Sequence, residues 1–390
     1  MTSIVNNSNA NSALVNTLLA SDSKMNPNVY STKKIYPPAS TTYQRTDLSS
    51  GSVGANQTIT FDLLKYGIAQ QLLFCYEKGG AGAPAFDFLD VIDRIELLSS
   101  SKVVDTLTNY DLQASFSNLD SSQYQSVSDS CVKDRPTPNI LVVVPLVFGF
   151  FKDINTNLNL QFNEPMSVRV KFGANVTNSS GGGTNSTLNT AYLRLRYKAY
   201  NEGDYSEIIT QNYSEPELNQ MVCGYYDENV VTTASINNNA TNGVNGTPIE
   251  LKNTDCVNDF YVIVRKNATG PAPPVKIDRV RLTASGQEIF DLSAEELLYS
   301  KLCENGYVIA GATDETKNVV KIQTGLWEYS GGGTQSNTMS LRELNNPKLD
   351  VFFTNKTGGA SAFDVICVED AVKIVSTISS NGRIATSLNN

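Results

Sequence analysis

The 390-residue sequence contains no histidine. That absence excludes Ser-His-Asp and Cys-His nucleophilic systems and every metal site built on imidazole. Any catalysis would have to rest on carboxylate, lysine, tyrosine or cysteine side chains. Charge is scarce too: Asp, Glu, Lys and Arg make up 18% of the chain, with a net charge of −9. Long Glu/Lys-rich amphipathic stretches, the mark of a helical protein, are missing. The acidic balance also argues against a nucleic-acid ligand, which needs clustered cations to neutralise phosphate. No apolar run reaches the ~18 residues of a membrane-spanning helix. Residues 1–12 are polar and Asn-rich, with neither the basic nor the apolar region of a cleaved signal peptide. The six cysteines (Cys75, Cys131, Cys223, Cys256, Cys303 and Cys367) stand singly, with no CxxC pair. The usual zinc and redox motifs are thereby excluded, and the cysteines read as buried thiols of a protein made in a reducing compartment. Sequons at Asn175, Asn185, Asn245, Asn267 and Asn355 are what chance produces in a chain so rich in Asn, Ser and Thr.

What is present is a 40% hydrophobic fraction set among Asn, Ser, Thr and Gly. This suits many short strands joined by neutral polar turns, in which Asn and Gly tolerate positive φ. The fold class is all-β. Self-comparison then divides the chain. Ile92-Asp93-Arg94-Ile95-Glu96-Leu97 recurs 185 residues later as Ile277-Asp278-Arg279-Val280-Arg281-Leu282. Each copy continues into a small-residue turn, a second strand (103–107 or 288–292) and a helix (110–116 or 294–302). In the second copy Ser293 and Glu296 have capping-box spacing. Upstream, the apolar strands 72–78 and 260–266 correspond. Downstream, Phe162-Asn163-Glu164-Pro165 and Leu344-Asn345-Asn346-Pro347 each lead into a strand, 182 residues apart.

Each half therefore supplies the strands of an eight-stranded sandwich. In the first half they include 57–63, 69–77, 91–98, 103–107, 140–151, 166–172 and 191–200. In the second they include 247–252, 260–266, 275–283, 289–292, 319–327, 348–353 and 364–375. The expected organisation is an N-terminal arm (1–44), a first jelly roll (45–200), an acidic polar linker (201–216), a second jelly roll (217–380) and a C-terminal tail (381–390).

One ordered set of motifs resembles a known family. Val144-Pro145-Leu146-Val147-Phe148-Gly149-Phe150-Phe151 is followed by 158–162, Asn163-Glu164-Pro165 and the strand 168–172. With the two I-D-R strands and the ending Asn381-Gly382-Arg383-Ile384-Ala385, this resembles the double jelly-roll major capsid proteins of icosahedral double-stranded DNA viruses. That lineage includes tailless phages, virophages, polinton-like viruses and nucleocytoplasmic large DNA viruses. The turn after Phe151 lacks the proline of the larger relatives, and the chain is short for them, so a smaller virus is implied. The resemblance implies a double jelly roll with short helices in loops, and a homotrimer of pseudo-hexagonal outline that tiles a flat facet. Its implied partners are copies of itself, neighbouring capsomers, and penton and minor capsid proteins; the arm could also reach an inner viral membrane. No sequence-specific nucleic acid and no small-molecule substrate is expected. The protein would be made and assembled inside the host cell, without a signal peptide, and end in the virion shell. The alternative is a jelly-roll receptor- or carbohydrate-binding spike or lectin; a two-carboxylate glycoside hydrolase ranks behind both.

No residue is assigned a catalytic, cofactor-binding or metal-binding role, and the chain reads as a non-enzyme. The SGGGT segments 180–184 and 330–334 lack the Lys-Ser/Thr of a phosphate-binding loop. Asp87, Asp90 and Asp93 read as a solvated loop and edge strand, and Asp93-Arg94 and Asp278-Arg279 as holding the repeated turn. Phe148, Phe150, Phe151 and Trp327 read as core. Arg194, Arg196 and Lys198 alternate along 192–200, as a solvated strand face does. The neutral loops 175–189 and 232–246 are candidates for exposed or inter-subunit segments.

Overall fold

A computed structural model describes residues 40–48, 53–79, 91–117, 133–134, 139–151, 158, 160, 165–173, 188–201, 203–204, 220–241, 246–253, 256–266, 275–297, 319–323, 339–378 and 383–385. In the first half the strands are β1 (Ser40–Asp47), β2 (Thr58–Asp62), β3 (Ile68–Gly79), β4 (Ile92–Ser99) and β5 (Lys102–Thr108). Helix α1 (Asn109–Ser117) follows, then β6 (Lys133–Asp134), β7 (Asn139–Pro145), β8 (Met166–Phe172) and β9 (Leu188–Ala199). They form two antiparallel sheets, ordered β1-β9-β3-β7-β6 and β2-β8-β4-β5. The first and last strands are neighbours, as the two Greek keys of a jelly roll require.

The second half repeats the plan. Its strands are β10 (Gln220–Thr232), β11 (Thr247–Glu250), β12 (Cys256–Lys266), β13 (Val275–Ala284) and β14 (Gln287–Ser293). Then come β15 (Val319–Gln323), β16 (Met339–Ser340), β17 (Lys348–Asn355), β18 (Phe363–Ile378) and β19 (Arg383–Ala385). The sheets run β10-β18-β12-β15 and β11-β17-β13-β14, with β16 and β19 added to the first. Strand for strand, this is the order of the first half. The fold is all-β, two jelly rolls in tandem.

Period-two patterning builds each core. Along β8 burial alternates strictly, with Met166, Val168, Val170 and Phe172 turned inward. They meet Leu72, Phe74 and Tyr76 of β3, and the ring of Phe74 lies 6.0 Å from that of Phe172. In the second half Phe260, Val262 and Val264 meet Val351, Phe353 and Phe363.

The I-D-R repeat has a structural meaning that differs from the expected one. In both copies the ladder slips at the aspartate, between Ile92 and Arg94 and between Ile277 and Arg279. The aspartate is the extra residue of a β-bulge. Asp93 accepts from Lys171 Nζ at 2.7 Å, and Asp278 accepts from Thr354 Oγ1 at 2.6 Å. Arg279 pairs with Asp291 of β14. These groups tie neighbouring strands rather than hold the turn. The turn is held by Ser100 and Ser285, both at positive φ (54° and 50°). Their amides donate to Pro165 O at 2.8 Å and Asn345 O at 2.9 Å.

Three further expectations differ. β1 begins at Ser40, inside the segment read as the arm, and neither β1 nor β10 was expected as a strand. The expected strand 140–151 stops at Pro145, with one further bond to β3 from Leu146 N to Leu72 O at 2.9 Å, and Gly149–Phe151 form a 3-10 turn. Much of the arm (1–39), most of the linker, both SGGGT segments, Asp87 and Asp90, Trp327 and the loop 175–187 lie outside the described residues.

Because Phe353 is fully buried and edge-on to Phe363 at 5.2 Å, Phe353→Ala should cost about 3–5 kcal/mol. Chemical denaturation of the two proteins would measure it.

Candidate assembly interface

The feature that stands apart from the two cores is where α1 goes. Its start is fixed locally by a capping box. Asp111 N donates to Thr108 Oγ1 at 3.2 Å, and Thr108 N donates to Asp111 Oδ2 at 2.8 Å. Leu112 enters the first core. Ala114, however, packs on the outer face of the second half's sheet, against Tyr261 and Ile263 of β12 and Ile366 and Val368 of β18. Tyr110, Tyr226 and Val319 complete that cluster. The helix of one jelly roll thus covers the sheet of the other.

Two polar contacts fix this docking. The Thr108 hydroxyl donates to Glu228 of β10. Asp111, only 2% exposed, sits beside the same carboxylate. Burial pushes the Asp111 carboxyl well above its ordinary range, and the Glu228 charge pushes it further. Burial also raises Glu228, offset in part by its hydrogen bonds from Thr108 and Asp111. Two buried carboxyls this close share a proton rather than both ionise. Asp227 and Asp93 add negative charge around Glu228, which strengthens the effect. Nearby, Gly149 N donates to Asp105 Oδ2 at 3.0 Å. Here the backbones of the two halves touch: a Cβ on Gly149 would lie 1.8 Å from Gly224 O of β10.

On the corresponding outer face of the first half no described helix packs as α1 does, although Cys75 and Tyr192 there are buried, the latter under Arg45. Register identifies this face: Leu73 and Cys75 of β3 pair with Arg194 and Tyr192 of β9, as Tyr261 and Ile263 pair with Val368 and Ile366. On β1, Tyr43 is 55% exposed and Arg45 and Arg194 are exposed beside it. The rings and guanidinium groups stack, with Arg45 3.9 Å above Tyr192 and Arg194 4.9 Å above Tyr43. The second half also has the matching helix start. Glu296 N donates to Ser293 Oγ at 3.3 Å and Ser293 N to Glu296 Oε2 at 2.8 Å, with residues 294–297 helical.

Among the remaining sequence candidates, Phe148 and Phe150 are buried in the first core and Phe151 packs against it. Arg196 is exposed and Lys198 half-buried, on the same face as Arg194. Cys75 and Cys367 are buried thiols. No group of three His, Cys, Asp or Glu able to hold a metal occurs among the described residues, and no described helix is long and apolar enough to cross a membrane. Asp111 and Glu228, the residues that fix the docking, were not singled out in the sequence. The T-x-x-D capping spacing was the available signal for the first; nothing local marks the second.

Two outcomes follow. Gly149→Ala should separate the two halves or unfold the region around them, read as a loss of thermal stability well beyond the ~1 kcal/mol of an ordinary substitution. The carboxyl pair has raised folded pKa values, so its stabilising contribution is complete below the unfolded carboxylate range near pH 4 and is lost as pH rises through the folded values. The pair's contribution to the melting temperature should therefore fall on going from acid towards neutral pH, opposite in sign to that of Asp291 and Glu295, whose carboxyls are held below their ordinary range. Asp111→Asn, which keeps the cap and the contact without a titrating proton, should flatten that dependence.

No protein-family model matches the chain, and no curated protein matches its sequence. Solved structures do match in fold. The PBCV-1 virus capsid shares 14% identity over 92% of this chain and 99% of that one, with a TM-score of 0.65. The Faustovirus major capsid protein shares 10% identity over 88% and 92%, at 0.61. The mavirus major capsid protein shares 9% over 87% and 89%, at 0.54. The chain has the double jelly-roll fold of these viral capsid proteins along most of its length.

Proposed function

We propose that this chain is the major capsid protein of an icosahedral DNA virus, a lattice-forming structural protein of the virion shell and not an enzyme. The observation that carries the reading is the helix-on-sheet docking inside the chain. A contact in which one unit's helix covers the next unit's sheet is head-to-tail, and such contacts propagate until a ring closes. The chain holds two units and makes the contact once. Among the described residues it keeps a sheet face with Tyr43, Arg45 and Arg194 exposed at one end and a second capped helix start at the other. Three copies, the number implied by the family resemblance, make a ring of six jelly rolls with a pseudo-hexagonal outline. A hexagonal block tiles a flat facet.

The fold suits that role physically. Burying sandwich faces and strand edges laterally removes the surfaces through which β proteins aggregate. Within the block, residues 45–200, extended to Ser40 by β1, form one domain and residues 217–380 the other, joined by 201–216. The segment expected as the tail 381–390 instead contributes β19 to the second jelly roll, which leaves the arm to contact neighbouring capsomers, penton and minor proteins, or an inner membrane.

Light scattering on the purified protein should give three times the 42.4 kDa chain mass, and electron microscopy of the same sample a hexagonal outline. A monomer that stays single at high concentration would overturn the reading.

A further inference from the structure

The two sheet faces differ in charge, position for position. Arg45 pairs across the ladder with Arg194, and Tyr43 with Arg196. In the second half Glu228 pairs with Val368, and Tyr226 with Asp370. Since Arg194 and Val368 occupy equivalent places opposite Leu73 and Tyr261, Arg45 stands where Glu228 stands, and Arg196 where Asp370 stands. The tyrosines Tyr43 and Tyr226 coincide. One face carries Arg45, Arg194 and Arg196 exposed, with Arg45 paired to Asp47; the other is anionic at the same positions, with its apolar part already under α1.

The helices differ in the complementary sense. In α1 the capping carboxylate is Asp111, and it lies beside Glu228. Its counterpart, by capping-box position, is Glu296. The residue before it is Glu295 where α1 has Tyr110. Both glutamates are exposed. Carrying the observed docking over to the first half's face brings Glu296 to Arg45, with Glu295 on the same side. Arg45 is pre-positioned for this by Asp47, whose Oδ1 accepts from its Nε at 2.7 Å, and by the Tyr192 ring beneath it.

We infer that the outer face formed by β1, β9 and β3 binds the helix beginning at residue 294 of a second copy of this chain, through Glu296 and Glu295 on Arg45 and Arg194. The inference rests on the proposed ring. It adds the choice of surface and the reason for its direction. The second half's face is not available to the same helix, because α1 of its own chain already covers it.

The test is a charge exchange in the full chain. Arg45→Glu with Arg194→Glu should raise the dissociation constant of the oligomer by roughly 10²-fold or more, as like charges replace opposite ones. Adding Glu295→Arg and Glu296→Arg to that variant should restore assembly, since each proposed contact between the copies is then reversed. Circular dichroism and melting of the double variant establish that it is folded. A folded double variant that the two added substitutions fail to restore would overturn the pairing. A second reading needs no variant. Dissociation of the wild-type oligomer should increase from ~0.1 M to ~1 M salt, as the screening length falls from about 10 Å to about 3 Å. A wild-type trimer that ignores both salt and the charge substitutions would overturn this interface and leave the capsid reading standing. A wild-type protein that never oligomerises would overturn the capsid reading itself.

Discussion

A sheet with large apolar side chains on both faces cannot leave either one in water, and β12 and β18 make such a sheet. Phe260, Tyr261, Val262, Ile263 and Val264 are consecutive and all fully buried, as are Val365, Ile366, Cys367 and Val368. A strand of a solitary sandwich would alternate buried with exposed. Here one set of side chains belongs to the second core and the other needs a cover, which α1 supplies from the first half. The joining of the two jelly rolls, the near-contact of Gly149 with Gly224 and the buried carboxyl pair all follow from that requirement.

The same reasoning explains what the sequence revealed. Strands with clean alternation, such as β8, or with a solid apolar run, such as β12, were legible because burial dictates their residues directly. The internal repeat was legible because bulge and turn geometry constrain residue type: an aspartate where the ladder slips, and small residues where φ turns positive. What that repeat does was misjudged, because Asp93 and Asp278 take partners on strands far away in sequence. β1 and β10, the equivalent first strands, were missed for one reason. The inward positions of β1 are Thr42, Gln44 and Thr46, only half-buried. On β10, Gly224 and Glu228 face the other half, and Asn229 is buried through its hydrogen bond to Glu369. Neither strand carries the apolar alternation that marks a strand in a sequence.

The interface was legible to a similar degree. The capping boxes at Thr108 and Ser293 mark two helix starts, and the alternation of Arg194, Arg196 and Lys198 marks an exposed sheet face. Neither indicates which helix meets which sheet. That information lies in the comparison of Arg45 with Glu228 and of Arg196 with Asp370. The comparison can be made only once strand register has put those residues in the same place.

The opposite chemistry of the two equivalent positions has a physical logic. The docking inside the chain is made between covalently joined partners, so its effective concentration is high and independent of protein concentration. It can carry a buried carboxyl pair that stabilises only while it holds its proton. A contact between separate molecules has no such advantage. It must be found by diffusion, and opposite charges at the rim accelerate that encounter. In the proposed ring, Arg45 would steer the Glu296 of a second copy onto the first half's face, while the equivalent place on the second half is already filled by α1 of the same chain.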